Sequence, residues 1–198
     1  MLIQKPKSIL ITCLRFTVSK KLITNFSNNT PGETRDALIS LMGEGADNII
    51  IDLRDNPGGL LSSSLDILDL ILPKDVEMVS TKGRKGRSLK NYKSLNSAFL
   101  PNSVDIAVLI NGGSASASEI VAGVLQDHDR AVVLGDQSFG KGLVQTVINI
   151  DRERSVKITS AKYFIPSGRL IQKPGYLPKE LLAATSVSYP HLTLPTKR

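Results

Sequence analysis

The sequence predicts an α/β domain, and two observations lead to that prediction. Apolar runs typical of buried strands alternate with stretches of helical periodicity. Three of these runs lead into glycine-rich turns, within 48–59, 104–113 and 131–142. Open α/β sheets bind ligands at the carboxyl ends of their strands, so we expect the three turns to converge on one site.

The elements follow in order along the chain. Residues 48–53 (NIIIDL) form a continuous apolar run, which indicates a strand buried on both faces. The first helix is expected to start at Pro31, and Pro73 is expected to end the second. The predicted helices cover 30–46, 59–73 and 114–126. The predicted strands cover 21–26, 48–53, 76–81, 104–110, 131–135 and the two arms of a long hairpin, 143–150 and 155–165, with a turn at 166–169.

Length and composition are those of a globular protein. A chain of 198 residues is one domain, or one domain with a small appendage. Aromatic residues make up 5% and there is no Trp, so the core is expected to be built from Ile, Leu, Val and Ala. The single cysteine, Cys13, cannot form an intramolecular disulfide and is expected to be a small buried apolar residue. We recognise no signal peptide and no run long enough to span a membrane.

The net charge of +7 is partly local. Lysines and arginines are concentrated in residues 81–93 (TKGRKGRSLKNYK), interleaved with Gly and Ser. Charge runs of this kind are usually solvated faces, so we expect an exposed hairpin loop rather than an anion-binding patch. Nucleic acid is not predicted as a partner.

The two ends differ from the rest of the sequence. Residues 1–19 lack clear periodicity, and residues 185–198 differ in character from the preceding chain. We therefore predict a domain over 20–175, flanked by an uncertain segment at 1–19 and a tail at 176–198. Both ends are expected to be truncated or non-native.

The stretch GDQSFGKG (135–142) is similar to a phosphate-binding loop. It lacks the Ser or Thr that should follow the lysine, because Gly142 stands there. The residues after Lys141 are β-branched and strand-like, whereas a phosphate loop opens a helix. A nucleotide-binding protein therefore remains only as a remote alternative.

A serine is the second possible partner for Lys141. A lysine whose pKa is lowered by desolvation can remove the proton from a serine hydroxyl, and Ser-Lys pairs act as hydrolases without histidine. Residues 111–119 (NGGSASASE) supply Ser114, Ser116 and Ser118 at a predicted helix start, where the dipole and free N–H groups favour an anion. These arguments do not choose among the three serines, and small residues at a helix start also pack or cap the helix.

Four motifs together resemble the carboxyl-terminal processing peptidases, also called tail-specific proteases. They are DLRDNPGG (52–59), NGGSASASEIVAG (111–123), GDQSFGKGLVQT (135–146) and SAKYFIPSGRLIQ (160–172), in the order found in that family. The resemblance covers roughly residues 20–175. It implies a serine endopeptidase that cleaves proteins near the carboxyl terminus through an acyl-enzyme. It also implies a superhelical core of ββα repeats, of the type found in ClpP and crotonases.

The resemblance implies a role for individual residues. Ser116 matches the nucleophile, Lys141 the general base and Gln145 the residue that orients the lysine. The oxyanion donors would be the N–H of Ala117 and that of Gly58 or Gly59. No metal or cofactor is implied. Further matches remain open: Glu119 supports the site or caps the helix, Asp52, Arg54 and Asp55 hold the NPGG turn, and Arg169 anchors a loop.

The sequence departs from the family pattern in two places. Gly112 stands where an acidic residue is common, and the chain has no room for the PDZ domain that normally captures the substrate terminus by β-augmentation. The expected substrates are polypeptides with unstructured, apolar carboxyl termini, and a homo-oligomer is possible. The family works in the periplasm, the cell envelope or the thylakoid lumen.

Two other functions are consistent with parts of the sequence. The glycine turns could stabilise an acyl-CoA enolate, as in crotonases, but then the Ser-Lys pair would have no use. Alternatively, the domain could be an inactive or fragmentary peptide-binding protein.

Overall fold

The computed structural model of the chain describes residues 11–13, 23–151 and 154–173. In these ranges the helices are α1 (Thr30–Gly43), α2 (Leu61–Asp69) and α3 (Ala117–Asp127). The strands are β1 (Ile11–Cys13), β2 (Asn48–Asp52), β3 (Glu77–Lys82), β4 (Ser88–Lys93), β5 (Asp105–Ile110), β6 (Val132–Gly135), β7 (Leu143–Asn149) and β8 (Ser155–Phe164). The mixed α/β class is therefore confirmed.

The first sheet places three strand ends side by side. Its order is β1-β2-β5-β6, with β2, β5 and β6 parallel and β1 antiparallel at the edge. Asp52 lies beside Leu109, and Ile110 lies beside Gly135. The carboxyl ends of the parallel strands are thus aligned, and the three glycine-rich turns leave the sheet at one edge.

Burial alternates along the strands of this sheet. Ile49, Ile51, Ile106 and Val108 are buried, whereas Val132 and Leu134 on the edge strand are exposed. Helix α3 packs against α2 and β6, and its apolar residues at helical spacing are fully buried. The start of α3 is therefore held by a well-packed core.

The second sheet is antiparallel, with the order β4-β3-β8-β7. Strands β3 and β4 form the basic hairpin through a short 3₁₀ turn at Arg84–Gly86. Its residues 84–91 are all exposed, which confirms the solvated hairpin predicted from the charge run. The β7–β8 hairpin follows directly after Lys141.

Most predicted elements are present with shorter ends. The predicted strand at 21–26 is wrong in its described part, because residues 23–25 are irregular and Phe26 makes only a single bridge to Gly59. The helix predicted over 59–73 spans Leu61–Asp69, and the helix predicted over 114–126 begins at Ala117. Ser114 and Ala115 belong to the preceding turn, where the Ser114 hydroxyl donates to the Leu53 carbonyl and the Ala115 N–H donates to the Asn56 carbonyl.

Several expectations concern parts of the chain outside the described residues. They are the predictions made for residues 1–10, 14–22 and 174–198, and the expected burial of the Cys13 side chain. In the part that is described, no helix is both long enough and apolar enough to cross a membrane.

Candidate active site

Hydrogen bonds join the three glycine-rich turns directly. The carbonyl of Asn56 in the first turn accepts the Ala115 N–H at 3.0 Å and the Ser118 hydroxyl at 2.9 Å. The carbonyl of Ser114 in the second turn accepts the N–H of Phe139 in the third at 3.0 Å. The convergence expected from the parallel strands is therefore present at the level of main-chain contacts.

Side chains reinforce the first and second turns. Asn111 accepts the Asp55 N–H at 2.9 Å and donates to the Asp55 carboxylate at 2.9 Å. Buried Asp52 accepts from the Arg54 main-chain N–H and from Nε and Nη2 on one edge of its guanidinium, at 2.5–3.0 Å. The hydrogen bond to Asp52 raises the pKa of the Arg54 guanidinium. These contacts order the residues that directly precede the NPGG turn.

The backbone of Gly58 lies against the second turn. A Cβ at this position would lie 2.6 Å from the Ala115 carbonyl and 2.9 Å from both the Ala117 nitrogen and the Ser116 Cβ. Its φ of +96° is also a conformation that other residues rarely adopt. Glycine is thus required here, and it brings the first turn to the start of α3.

The structure separates the three serines that the sequence left equivalent. Ser114 and Ser118 are fully buried, and their hydroxyls bond the carbonyls of Leu53 and Asn56 at 2.7 and 2.9 Å. Ser116 is half-buried and caps α3 with φ 55° and ψ −110°. Of the three serines, Ser116 is the one that is not fully buried, and its backbone has a conformation that non-glycine residues rarely adopt.

Glu119 connects the serine turn to the lysine loop. Its carboxylate is fully buried and accepts four hydrogen bonds. One oxygen accepts the Ser138 hydroxyl at 2.7 Å and the Gly140 N–H at 2.6 Å. The other accepts the Ser116 N–H and the Lys141 N–H, each at 2.8 Å. A single side chain therefore fixes the main chain of Ser116 relative to that of Lys141.

The side chain of Lys141 is exposed. Within the described ranges, its ammonium group makes no hydrogen bond or ion pair with Ser116 or with any other residue. Gln145 is also exposed, next to an irregularity between Val144 and Gln145 in the pairing of β7 with β8. The structure brings the backbones of the predicted pair together, but it does not join their side chains.

The glycines beside Lys141 have a packing reason. A Cβ on Gly140 would lie 2.6 Å from the Lys173 Cβ, and a Cβ on Gly142 would lie 2.6 Å from the Gln172 nitrogen. The loop then enters strand β7 at Leu143, not a helix. Gly140 and Gly142, which make this stretch similar to a phosphate loop, are thus explained by the close approach of Gln172 and Lys173. The helix that a phosphate loop requires is not formed at Lys141.

The main-chain N–H groups of Gly58, Gly59 and Ala117 differ in whether they already make a hydrogen bond. Gly58 donates to the Asn56 side chain at 2.9 Å, so its N–H is already used. Those of Gly59 and Ala117 have no hydrogen-bond partner within the part of the chain that the structure describes. Of the two glycines that the resemblance left open, Gly59 has the free donor.

Two other titratable groups, His128 and Lys162, lie on neighbouring elements. His128 follows the opposite end of α3, where its ring contacts the Glu77 carbonyl at 2.7 Å. Lys162, whose backbone pairs with Leu143, is half-buried, and desolvation lowers the pKa of its ammonium. Among the described residues, no cluster of His, Cys, Asp and Glu could hold a metal ion.

Sequence reasoning did not identify two of the residues that build the site. Ser138 is buried on Glu119, and Gln172 is buried against the lysine loop, where it accepts the Gly142 N–H at 2.9 Å. Gln172 closes the last of the four motifs, but its spacing from Lys141 carries no periodic signal. For Glu119, which the sequence left open between support and capping, the structure shows both contacts.

Comparison with known proteins decides the family. The sequence model of Peptidase family S41 matches residues 22–181, which is most of the chain. The chain belongs to peptidase family S41. It is 50% identical over 129 residues to a carboxy-terminal-processing protease of Bartonella bacilliformis, which covers 65% of this chain and 29% of that protein. It is 39% identical over 173 residues to a carboxyl-terminal-processing protease of Synechocystis. This match covers 87% of this chain and 40% of that protein.

Solved structures agree with this membership of family S41. The photosystem II D1 C-terminal processing protease superposes with a TM-score of 0.73 at 26% identity, over 90% of this chain and 48% of that one. The chain therefore spans less than half the length of these relatives.

Proposed function

We propose that this family S41 chain carries the catalytic core of a serine endopeptidase that processes proteins near the carboxyl terminus. The observation that supports it most is the buried Glu119 carboxylate, which binds the N–H groups of Ser116 and Lys141 at 2.8 Å each. A purely structural domain would not need one side chain to place a strained, accessible serine beside a lysine loop.

The proposed reaction begins with the neutral amine of Lys141. It accepts the hydroxyl proton of Ser116 while Oγ attacks a substrate carbonyl, and the developing oxyanion is bound by the N–H groups of Ala117 and Gly59. Collapse releases the amine of the carboxyl-terminal fragment, which takes the proton from the lysine. Water then attacks the ester in the same way and regenerates Ser116. Each oxyanion donor is expected to contribute about 3 kcal/mol to lowering the barrier.

The proposed substrates are polypeptides with unstructured, apolar carboxyl termini. The relatives in Bartonella and Synechocystis are named for carboxyl-terminal processing, and the chain matches them over 129 and 173 residues. We also propose that the chain acts outside the cytoplasm, as the family does, with Gln145 orienting Lys141 once the site is occupied.

One observation favours a second candidate, a peptide-binding domain without catalytic activity. Lys141 is exposed, and no hydrogen bond links its ammonium to Ser116. A lysine acts as a base when it is desolvated, so catalysis requires the substrate or a further part of the protein to cover it. Covalent labelling of Ser116 by a serine-directed fluorophosphonate separates the two candidates, because only an activated serine reacts.

The direct test is cleavage of an unfolded polypeptide with an apolar tail. We expect the parent chain to cleave it. Ser116→Ala and Lys141→Met should each lower the rate at least about 10³-fold. Full activity in either variant, with folding confirmed by circular dichroism, would disprove the Ser-Lys assignment.

A further inference from the structure

The lysine loop is held from a second side by the segment 165–173, which we call the strap. It follows β8, turns at residues 166–169 and runs along Gly140–Gly142. The Lys173 N–H donates to the Gly140 carbonyl at 2.9 Å, and the buried Gln172 side chain accepts the Gly142 N–H at 2.9 Å. The glycines on both sides of Lys141 thus contact the strap.

The main chain around Lys141 is bonded at each consecutive N–H. Those of Gly140 and Lys141 donate to the Glu119 carboxylate, and that of Gly142 donates to Gln172. The Gly142 carbonyl also accepts the Tyr163 N–H at 2.8 Å. Since the lysine side chain itself has no partner in the described chain, these backbone contacts are what fixes the point from which it extends.

The strap is anchored to the helix that carries Ser116. The Arg169 guanidinium donates to the carboxylate of Asp127, the last residue of α3, at 2.5 Å and to the Gln126 side chain at 3.0 Å. The other Asp127 oxygen accepts the Ser167 N–H at 2.9 Å. The helix is therefore tied to the lysine loop at its first turn by Glu119, and at its last turn through the strap.

We propose that Gln172 is a positioning residue for the lysine base. Its carbonyl oxygen fixes Gly142 and thereby the point from which the Lys141 side chain reaches toward Ser116. The Gln172 amide nitrogen donates to the Lys173 carbonyl at 3.2 Å, and the residue is 2% exposed. If the side-chain oxygen is removed, water therefore cannot take its place without rearrangement. The expected effect on kcat rests on the proposed Ser-Lys reaction. The expected effect on the position of the lysine loop rests on the contacts alone.

The test compares two substitutions of Gln172 in the full chain. Gln172→Met keeps the length of the side chain but cannot accept strongly from Gly142, whereas Gln172→Glu keeps an acceptor oxygen. We expect Gln172→Met to lower kcat about 10²-fold with KM within about twofold, because the base is misplaced while the peptide still binds. Gln172→Glu should retain more of the activity. Gln137→Met, an exposed glutamine of the same loop that makes no side-chain hydrogen bond within the described residues, is the matched control.

A second readout does not depend on catalysis. Amide hydrogen exchange at Lys141 and Gly142 should be faster in Gln172→Met than in the parent and in Gln137→Met, with the core amides of α3 unchanged. If the parent cleaves, an unchanged kcat in Gln172→Met would overturn the positioning role, and so would unchanged exchange at these amides in that variant. If the parent does not cleave and local exchange still rises, the peptidase proposal fails while the positioning of the loop stands.

Discussion

Glu119 has no spare capacity for an additional donor. All four of its hydrogen bonds are made by groups that donate, three of them main-chain N–H groups, and its side chain is fully buried. An amide at this position could accept on one side only, and its NH₂ would face two further donors.

Glu119→Gln is therefore expected to lower the free energy of unfolding by about 3 kcal/mol, because buried donors are left without acceptors. Peptide cleavage should fall about 10²-fold, since Ser116 and Lys141 lose their common support. Chemical denaturation and steady-state kinetics measure the two effects. Glu77→Gln, at an exposed glutamate of β3, is the control, and equal stability of the two variants would refute the role assigned to Glu119.

Backbone strain at Ser116 leads to a separate prediction. Its φ of 55° with ψ of −110° disfavours any residue that has a Cβ. Ser116→Gly and Ser116→Ala both lack the hydroxyl, so both should be inactive. The glycine variant should nevertheless be the more stable of the two by about 1 kcal/mol. Thermal unfolding measures this, with the same pair at Ser103, whose φ is not positive, as the control. A more stable alanine variant at 116 would show that the backbone is not strained.

At the scale of elements, β8 places a charged residue in a half-buried position beside the lysine loop. Lys162 pairs with Leu143, and desolvation lowers the pKa of its ammonium. The folded state thus binds this proton more weakly than the unfolded chain does, whose lysine pKa is about 10.4. The contribution of Lys162 to the free energy of unfolding therefore rises with pH in the range below about pH 10.4.

Lys162→Met should consequently be more stable than the parent at neutral pH, and the difference should shrink as the pH approaches about 10.4. Denaturation series at neutral and alkaline pH measure it. Lys74→Met, at an exposed lysine, should change stability little at either pH. A difference that grows with pH would contradict the sign of the shift.

Much of the element scale could be read from the sequence. The apolar runs at 48–53 and 104–110 and the leucine spacing of α2 specify buried strands and a helix, because side-chain burial follows the period of each element. The failure at 23–25 has a physical reason. Its apolar residues Ile23 and Phe26 are buried in the core without joining a sheet, and composition alone does not distinguish these two situations.

At the scale of the whole molecule, both sheets share one core in the part of the chain that the structure describes. Buried residues of the parallel sheet, of the antiparallel sheet and of α3 form a single cluster, with Ile49, Val79, Val121 and Tyr163 among them. Neither sheet buries its apolar face independently of the other.

We therefore expect a single cooperative unfolding transition for the described domain. Far-ultraviolet circular dichroism and the near-ultraviolet signal of the tyrosines should give the same midpoint. Hydrogen exchange of core amides in β5 and β8 should also follow one free energy of opening. Two separate midpoints would show that the sheets unfold independently, and that the contact between Ser116 and the lysine loop can be lost without loss of either sheet.

The sequence by itself determined the α/β class, the three glycine-rich turns and the short set of residues from which a Ser-Lys site could be drawn. These features depend on local periodicity and on the positions of glycines, and both can be read directly from the sequence. Tertiary structure alone decided which serine is accessible, which glycine N–H is free, and that Glu119 and Gln172 support the lysine loop. Each of these depends on contacts between segments distant in sequence, such as Glu119 with Lys141 and Gln172 with Gly142. Local patterns do not encode such contacts.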